Sequence, residues 1–146
     1  GLPRREEAAT RAAALRRLRR VGLAEKAELS ALDLPLGEQR LLELARALTA
    51  EPRLLLLDEP TAGLNAIETV RLAATISRIR ANDVTVLLVE HDMNLVMSIA
   101  DWIVVLNHGE KLAEGRPEVV RRVPRVVEAY LGQESGAGAP GGRTQS

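Results

Sequence analysis

Two adjacent carboxylates at the end of an apolar run are the residues of this chain best suited to chemistry. Asp58 and Glu59 directly follow four consecutive leucines, residues 54–57. Such a run predicts a strand that is buried on both faces. Because carboxylates are costly to bury, we expect the pair at the carboxyl end of that strand, in the crevice where α/β sheets bind ligands.

The chemistry that this pair could perform is phosphate chemistry. Asp58 could hold a Mg²⁺ ion on a nucleotide phosphate, since hard cations take oxygen ligands. Glu59 could polarise a water molecule for attack on that phosphate. The simpler alternative is a strand followed by an acidic turn, with Pro60 as the residue that breaks the strand.

A second apolar run, residues 84–89, also ends in polar residues, Glu90, His91 and Asp92. Two such strands with a helical segment between them indicate a βαβ unit, whose parallel strands end at the same edge of the sheet. We therefore expect His91 near Asp58 and within reach of a phosphate. The other histidine, His108, precedes a glycine in a predicted turn and is expected to be structural or exposed to solvent.

A third element is a helix that follows Gly37. Its apolar residues recur at helical spacing and form one face, which comprises Leu41, Leu44, Ala45 and Leu48. Free backbone N–H groups and the helix dipole favour anions at a helix N-terminus. A glycine there would let a phosphate approach the backbone closely.

Together, these elements resemble the ATP-binding subunits of ABC transporters. Residues 34–38 stand at the signature loop of that family, residues 54–59 look like its Walker B strand, and residues 61–65 fill the place of its D-loop. The resemblance implies an α/β P-loop NTPase fold of the ABC type, with three layers and a mostly parallel sheet. It implies an incomplete core with part of the helical subdomain.

The resemblance also implies roles for single residues. Asp58 would hold Mg²⁺, Glu59 would be the catalytic base, and His91 would sense the γ-phosphate of ATP. The signature and D-loop residues would contact ATP and the facing subunit; they are Pro35, Leu36, Gly37, Glu38, Leu64 and Asn65. The implied cofactors are ATP and Mg²⁺. The implied partners are a second ATPase subunit, transmembrane permease subunits and a periplasmic or extracellular substrate-binding protein.

Departures from the family pattern indicate one branch. Pro35 replaces the signature serine, Leu36 replaces a glycine, and Asn65 replaces the usual aspartate of the D-loop. With the segment around His91, they resemble the ATP-binding subunits of branched-chain amino acid importers. Close relatives of that branch are urea importers and the lipopolysaccharide-export ATPase.

The sequence contains no Gly-x-x-x-x-Gly-Lys-[Ser/Thr] run, which the phosphate-binding P-loop requires. We therefore expect the C-terminal part of a longer ATPase domain. A non-catalytic half-domain that pairs with an intact subunit is an alternative. A nucleic-acid ATPase of the chromosome-maintenance or recombination type is another, but it would demand long flanking coiled coils, and the neutral charge and the lack of heptads argue against it.

Composition excludes several other classes. The formal net charge is zero and the aromatic residues are only Trp102 and Tyr130, so neither a basic field nor a stacking platform for nucleic acid is present. The absence of cysteine excludes disulfides and suits a reducing compartment. No apolar run is long enough to span a bilayer. The resemblance to ABC-transporter subunits implies a peripheral protein on the cytoplasmic face of the membrane.

The predicted organisation is an ATPase portion over residues 1–132 and a disordered tail over residues 133–146, which is rich in Gly, Ser, Pro and Ala. Within the first part, residues 1–50 would be the helical subdomain with the signature helix, and residues 51–132 would run from the Walker B strand to the C-terminal helices. A basic helix over residues 4–20 begins the helical subdomain. It is either a solvated face of the subdomain or a contact surface for the transmembrane partner or anionic lipid.

Overall fold

The computed structural model describes residues 2–131. Contacts divide the chain into two compact units, the first ending at Glu90 and the second beginning at His91. The predicted boundary at residue 50 stays a prediction, and the predicted disordered tail lies outside the described residues.

Residues 2–90, the described part of the first unit, form three α-helices and one pair of strands. In chain order these are α1 (Leu2–Arg20), α2 (Leu36–Ala47), β1 (Leu54–Asp58), α3 (Ala66–Ala81) and β2 (Thr85–Val89), with 3₁₀ turns at Ala24–Lys26, Ala31–Asp33 and Leu48–Ala50. Helix α1 ends before Gly22, whose positive φ of 74° is the left-handed conformation that glycine adopts most readily.

The predicted βαβ unit is confirmed. Strands β1 and β2 pair in parallel, with Leu54 opposite Thr85 and Asp58 opposite Val89. Helix α3 connects them, as a crossover between parallel strands requires. The carboxyl ends of both strands therefore lie at one edge of this two-stranded sheet.

The prediction that β1 is buried on both faces is wrong for the described structure. Leu55 is 5% exposed, whereas Leu54 and Leu56 are 53% and 65% exposed. Successive side chains of a strand point to opposite faces, so the described residues cover only one face of the sheet. Leu87 and Val89 of β2 lie exposed opposite Leu56 and Asp58, so the uncovered face is apolar and ends at Asp58.

Helices α2 and α3 pack against each other in the first unit. Helix α2 begins at Leu36, one residue before Gly37, and the carbonyl of its N-cap Pro35 accepts hydrogen bonds from the backbone N–H groups of Glu38 and Gln39. The buried side chains on these helices and the following turn include Leu41, Leu44, Leu48, Leu72, Ile76 and Ile79.

The second unit contains α4 (Met93–Ile99), the antiparallel strands β3 (Ile103–Asn107) and β4 (Glu110–Gly115), α5 (Pro117–Val120) and α6 (Pro124–Val126), followed by a π-helical turn at Val127–Leu131. Strands β3 and β4 form a hairpin around the predicted turn at His108, and a proline is the first residue of both α5 and α6. Met93 lies in the core of this unit and Met97 packs against it.

Candidate functional site

The carboxyl end of β1 presents the two predicted carboxylates to solvent. Asp58 is the last residue of the strand, and both Asp58 and Glu59 are exposed. The backbone N–H of Glu59 donates a hydrogen bond of 2.8 Å to the carbonyl of Val89 and so extends the parallel pairing by one residue. Glu59 has a φ of 44°. A residue other than glycine pays about 1–2 kcal/mol for that left-handed conformation.

The turn after Glu59 is fastened to the neighbouring strand by Glu90. One carboxylate oxygen of Glu90, Oε1, accepts hydrogen bonds from the backbone N–H of Thr61 at 3.0 Å and from its hydroxyl at 2.5 Å. Glu90 directly follows β2, and Thr61 lies two residues after Glu59. This contact therefore joins the ends of the two parallel strands and holds the segment that follows the carboxylates.

Residues 34–38 form the start of α2. Pro35 is the N-cap, Leu36 is exposed and Gly37 is buried in the first turn. A Cβ atom on Gly37 would lie 2.9 Å from Cγ of Glu68. A methyl group at this position would therefore force the side chain of Glu68 on α3 to move, a constraint that the sequence pattern did not disclose. The predicted contact of Gly37 with a phosphate stays a prediction.

Glu38 lies at the centre of an ion-pair network. Its carboxylate contacts Lys26 Nζ at 2.6 Å and Arg71 Nη1 at 3.3 Å, and its side chain is 12% exposed. The hydrogen bond from Lys26 is the largest cause that lowers the pKa of Glu38 below its ordinary value of 4.5; partial burial opposes it, and Arg71 adds to the lowering. The network connects α2, which carries the predicted signature residues, to α3.

The predicted D-loop residues lead into α3. Asn65 is the N-cap of α3, and its side chain accepts a hydrogen bond of 2.9 Å from the backbone N–H of Glu68. Glu68 in turn accepts a bond of 3.0 Å from the backbone N–H of Asn65, which completes a capping box. Asn65 thus has a structural role, and Leu64 is half-buried in the preceding turn.

His91 begins the second unit, directly after Glu90. The following residue, Asp92, is the N-cap of α4 and accepts a hydrogen bond of 3.0 Å from the backbone N–H of Leu95. The predicted proximity of His91 to Asp58 stays a prediction. His108 lies in the turn between β3 and β4, exposed and with a φ of 47°, as its position before Gly109 predicts.

Two family models match the sequence. The model of the ABC transporter family matches residues 4–62, and the model of the branched-chain amino acid ATP-binding cassette transporter matches residues 110–135. The chain is 55% identical over 117 residues to the high-affinity branched-chain amino acid transport ATP-binding protein BraF of Pseudomonas aeruginosa, and 50% identical over 117 residues to LivG of Escherichia coli K12. Each alignment covers 80% of this chain and 46% of the relative.

Solved structures agree with these matches. The ADP conformation of MJ1267, an ATP-binding cassette of an ABC transporter, superposes with a TM-score of 0.74 at 30% identity, over 82% of this chain and 48% of that one. CbiO1 of Clostridium perfringens, part of an ABC transporter complex, superposes with a TM-score of 0.73 at 26% identity, over 88% and 53%.

The chain belongs to the ABC transporter ATP-binding family. Its fold is that of part of an ABC-type ATPase cassette, and it spans about half the length of the curated relatives that it matches. The described residues contain one parallel and one antiparallel pair of strands, so the predicted three layers and larger sheet stay predictions.

The donor set of this ABC-type segment fits a Mg²⁺ ion shared with a nucleotide. Among residues 2–131, no three His, Cys, Asp or Glu side chains converge as a metal site. Mg²⁺ at phosphate sites is bound through one or two carboxylates together with phosphate oxygens and water, so such a site needs only one protein carboxylate. The exposed carboxylate of Asp58 at the strand end meets that requirement. Within the same residues, none of the helices is long and apolar enough to cross a membrane.

Proposed function

We propose that this chain forms the hydrolytic part of an ATP-binding subunit that powers an importer of branched-chain amino acids. The observation that carries the proposal is the pair Asp58 and Glu59 at the carboxyl end of a parallel strand, with the turn behind them fastened by Glu90. The substrate class rests on the names of the relatives and on the second family model.

In this proposal Glu59 orients the attacking water and accepts its proton. The carboxylate is exposed, and hydrogen bonds from the Glu59 backbone to Val89 and from Thr61 to Glu90 hold the segment that carries it. Asp58 would bind Mg²⁺, which when present neutralises charge on the phosphates of ATP. His91 would contact the γ-phosphate, because the parallel strands direct both polar ends to one edge.

The partners in the proposal follow from the family. Residues 35–38 would face ATP held by a second ATPase subunit, and Leu64 and Asn65 would lie at the same subunit boundary. Permease subunits and a periplasmic or extracellular substrate-binding protein would complete the importer, with the ATPase at the cytoplasmic face of the membrane.

The test uses a fusion, because this sequence holds no P-loop motif. The P-loop-bearing segment of an ABC-type ATPase is joined ahead of Arg4, and ATP hydrolysis and ATP binding are measured separately. Glu59→Gln should lower turnover by about 10²–10⁴-fold, the usual contribution of a general base, while ATP binding persists. The exposed Glu110→Gln is the matched control and should hydrolyse ATP like the parent fusion.

Two results would contradict the proposal. Turnover of Glu59→Gln near that of the parent would show that Glu59 is not the base. A fusion that binds ATP without hydrolysing it, but stimulates an intact homologous subunit, would favour the non-catalytic half-domain. Substrate class is tested by leucine uptake in Pseudomonas aeruginosa that lacks BraF. Restored uptake supports the branched-chain assignment, and its failure with an active fusion contradicts that assignment alone.

A further inference from the structure

A cavity of about 320 Å³ lies at the amino end of the parallel sheet, within the first unit. Its walls come from the last turn of α1 and from the two loops that lead into β1 and β2. Asp58 and Glu59 lie at the opposite end of β1 and do not line it. This cavity is therefore separate from the predicted ATP site, and its volume is near the lower limit, about 300 Å³, of small-molecule pockets.

Three arginines line the cavity, and they are not equivalent. Arg17 is paired with Glu51 through a hydrogen bond of 2.7 Å. For Arg20 and Arg53 the structure records no ion pair or hydrogen bond of the side chain with any residue from 2 to 131. Guanidinium groups present a planar fork of donors that matches a carboxylate, so Arg20 and Arg53 supply the cavity with the means to bind one.

Two carboxylates line the same cavity from unusual backbone positions. Glu51 has a φ of 49° and Asp83 a φ of 62°, and each follows the end of a helix or helical turn. Glycine is the usual residue at that position because it adopts the left-handed conformation without strain. Both loops instead carry an acidic side chain. Since Glu51 is occupied by Arg17, Asp83 is the carboxylate that remains to receive a cation.

Apart from Asn82, whose side-chain amide donates a hydrogen bond to the carbonyl of Arg78, the rest of the lining is apolar. Leu48 and Val84 are mostly buried where they line the cavity, and Pro52 lies in the same wall. A polyanion such as phosphate would suit the arginines but would be repelled by Asp83 and gain nothing from the apolar wall. A molecule with a carboxylate, an ammonium group and an aliphatic side chain would use all three parts.

We propose that this cavity binds a small aliphatic α-amino acid, with its carboxylate at Arg20 and Arg53, its ammonium at Asp83 and its side chain against Leu48 and Val84. The proposal is independent of ATP hydrolysis, because none of the predicted catalytic residues lines the cavity.

The test is isothermal titration of the full chain with L-leucine and two analogues. Isovalerate keeps the side chain and the carboxylate but lacks the ammonium group, and isopentylamine lacks the carboxylate. Loss of one charged contact should weaken binding by about 10- to 100-fold, so leucine should bind more tightly than either analogue by that factor. Inorganic phosphate should not displace leucine.

Variants assign the binding to the cavity. Arg53→Gln and Asp83→Asn should each weaken leucine binding by the same factor, while Arg46→Gln, an exposed arginine outside the cavity, should not. Circular dichroism checks folding, and Asp83→Gly is the substitute if Asp83→Asn fails to fold, because glycine relieves the backbone. No saturable binding of leucine, equal binding of the analogues, displacement by phosphate, or insensitivity to the cavity variants would each overturn the proposal.

Discussion

The two ends of the parallel sheet in the first unit are built alike and differ in chemistry. At the carboxyl end, exposed Asp58 and Glu59 follow β1, and Glu90 holds the turn behind them. At the amino end, loops carrying Glu51 and Asp83 surround a cavity lined by arginines. Both ends hold residues other than glycine at positive φ, with an acidic side chain in each case.

The carboxylates at one end of the sheet can be recognised from a sequence motif, whereas the cavity at the other end can be recognised only from the fold. Backbone strain of this kind persists where the surrounding structure compels it, and it is frequent at functional sites. At the carboxyl end the strained Glu59 is also the residue that the apolar run and its carboxylates single out. At the amino end Glu51 and Asp83 are 32 positions apart in the sequence. Only the pairing of β1 with β2 brings their loops to one cavity.

The largest predicted difference between the two ends is in catalysis. In the fusion described above, Glu59→Gly should lower ATP turnover by about 10²–10⁴-fold because it removes the base. Asp83→Gly should leave turnover unchanged. Both substitutions relieve a left-handed backbone, so each should raise the free energy of unfolding by about 0.5–1 kcal/mol in urea denaturation. Equal loss of turnover in both variants would show that the two ends do not have separate roles.

The sequence was sufficient to predict those elements that short, continuous stretches of residues determine. The leucine run predicted β1, the second apolar run predicted β2, and the spacing between them predicted the parallel pair that the structure contains. The positions of Asp58 and Glu59 at the end of β1 followed from the leucine run that precedes them. His108 in its turn followed from Gly109.

Other features depend on contacts between distant residues, and the sequence could not supply them. The space above Gly37 is filled by Glu68, which is 31 positions away, so the reason for that glycine is visible only in the structure. The bond from Thr61 to Glu90 depends on the register of two strands. The uncovered face of β1 depends on which elements pack on the sheet, and an apolar run by itself cannot report that.

Substitutions on the two faces of β1, the strand that joins the two ends, should have different effects on stability. Leu55→Ala should lower the free energy of unfolding by about 2–5 kcal/mol, the usual range for a leucine buried in a core. Leu56→Ala, the adjacent substitution on the exposed face, should change it by less than about 0.5 kcal/mol. Chemical denaturation of the full chain measures both. A large cost at Leu56 would indicate that this face is covered in solution, for example by a second copy of the chain.

The next effect concerns the start of α2. Gly37→Ala should lower the free energy of unfolding, measured by chemical denaturation, by about 1–3 kcal/mol, because the added methyl group would overlap the side chain of Glu68. The control is the same substitution in a Glu68→Ala background, where the overlapping atoms are absent. There the cost should fall close to zero, since alanine favours a helix. An unchanged cost in that background would mean that the glycine is needed for another reason.

The smallest effect is electrostatic and depends on pH. The pKa of Glu38 is lowered mainly by the hydrogen bond from Lys26, so its carboxylate stabilises the fold above its ordinary pKa of 4.5. That contribution should disappear as the pH falls through the lowered pKa of the folded state. Glu38→Gln should therefore lower the free energy of unfolding by about 1 kcal/mol at pH 7. The value is modest because Lys26 and Arg71 are partly exposed.

The same substitution should cost progressively less as the solution is acidified below pH 4.5, and urea denaturation at a series of pH values measures that trend. Glu43→Gln is the matched control, since Glu43 forms an exposed pair with Arg40 on the same helix and should contribute little at any pH. A cost for Glu38→Gln that stays constant down to acidic pH would mean that the side chain acts through packing. In that case the contact between α2 and α3 would not depend on the charge of Glu38. The charged groups that distinguish the two ends of the sheet would then be the carboxylates at positions 51, 58, 59 and 83.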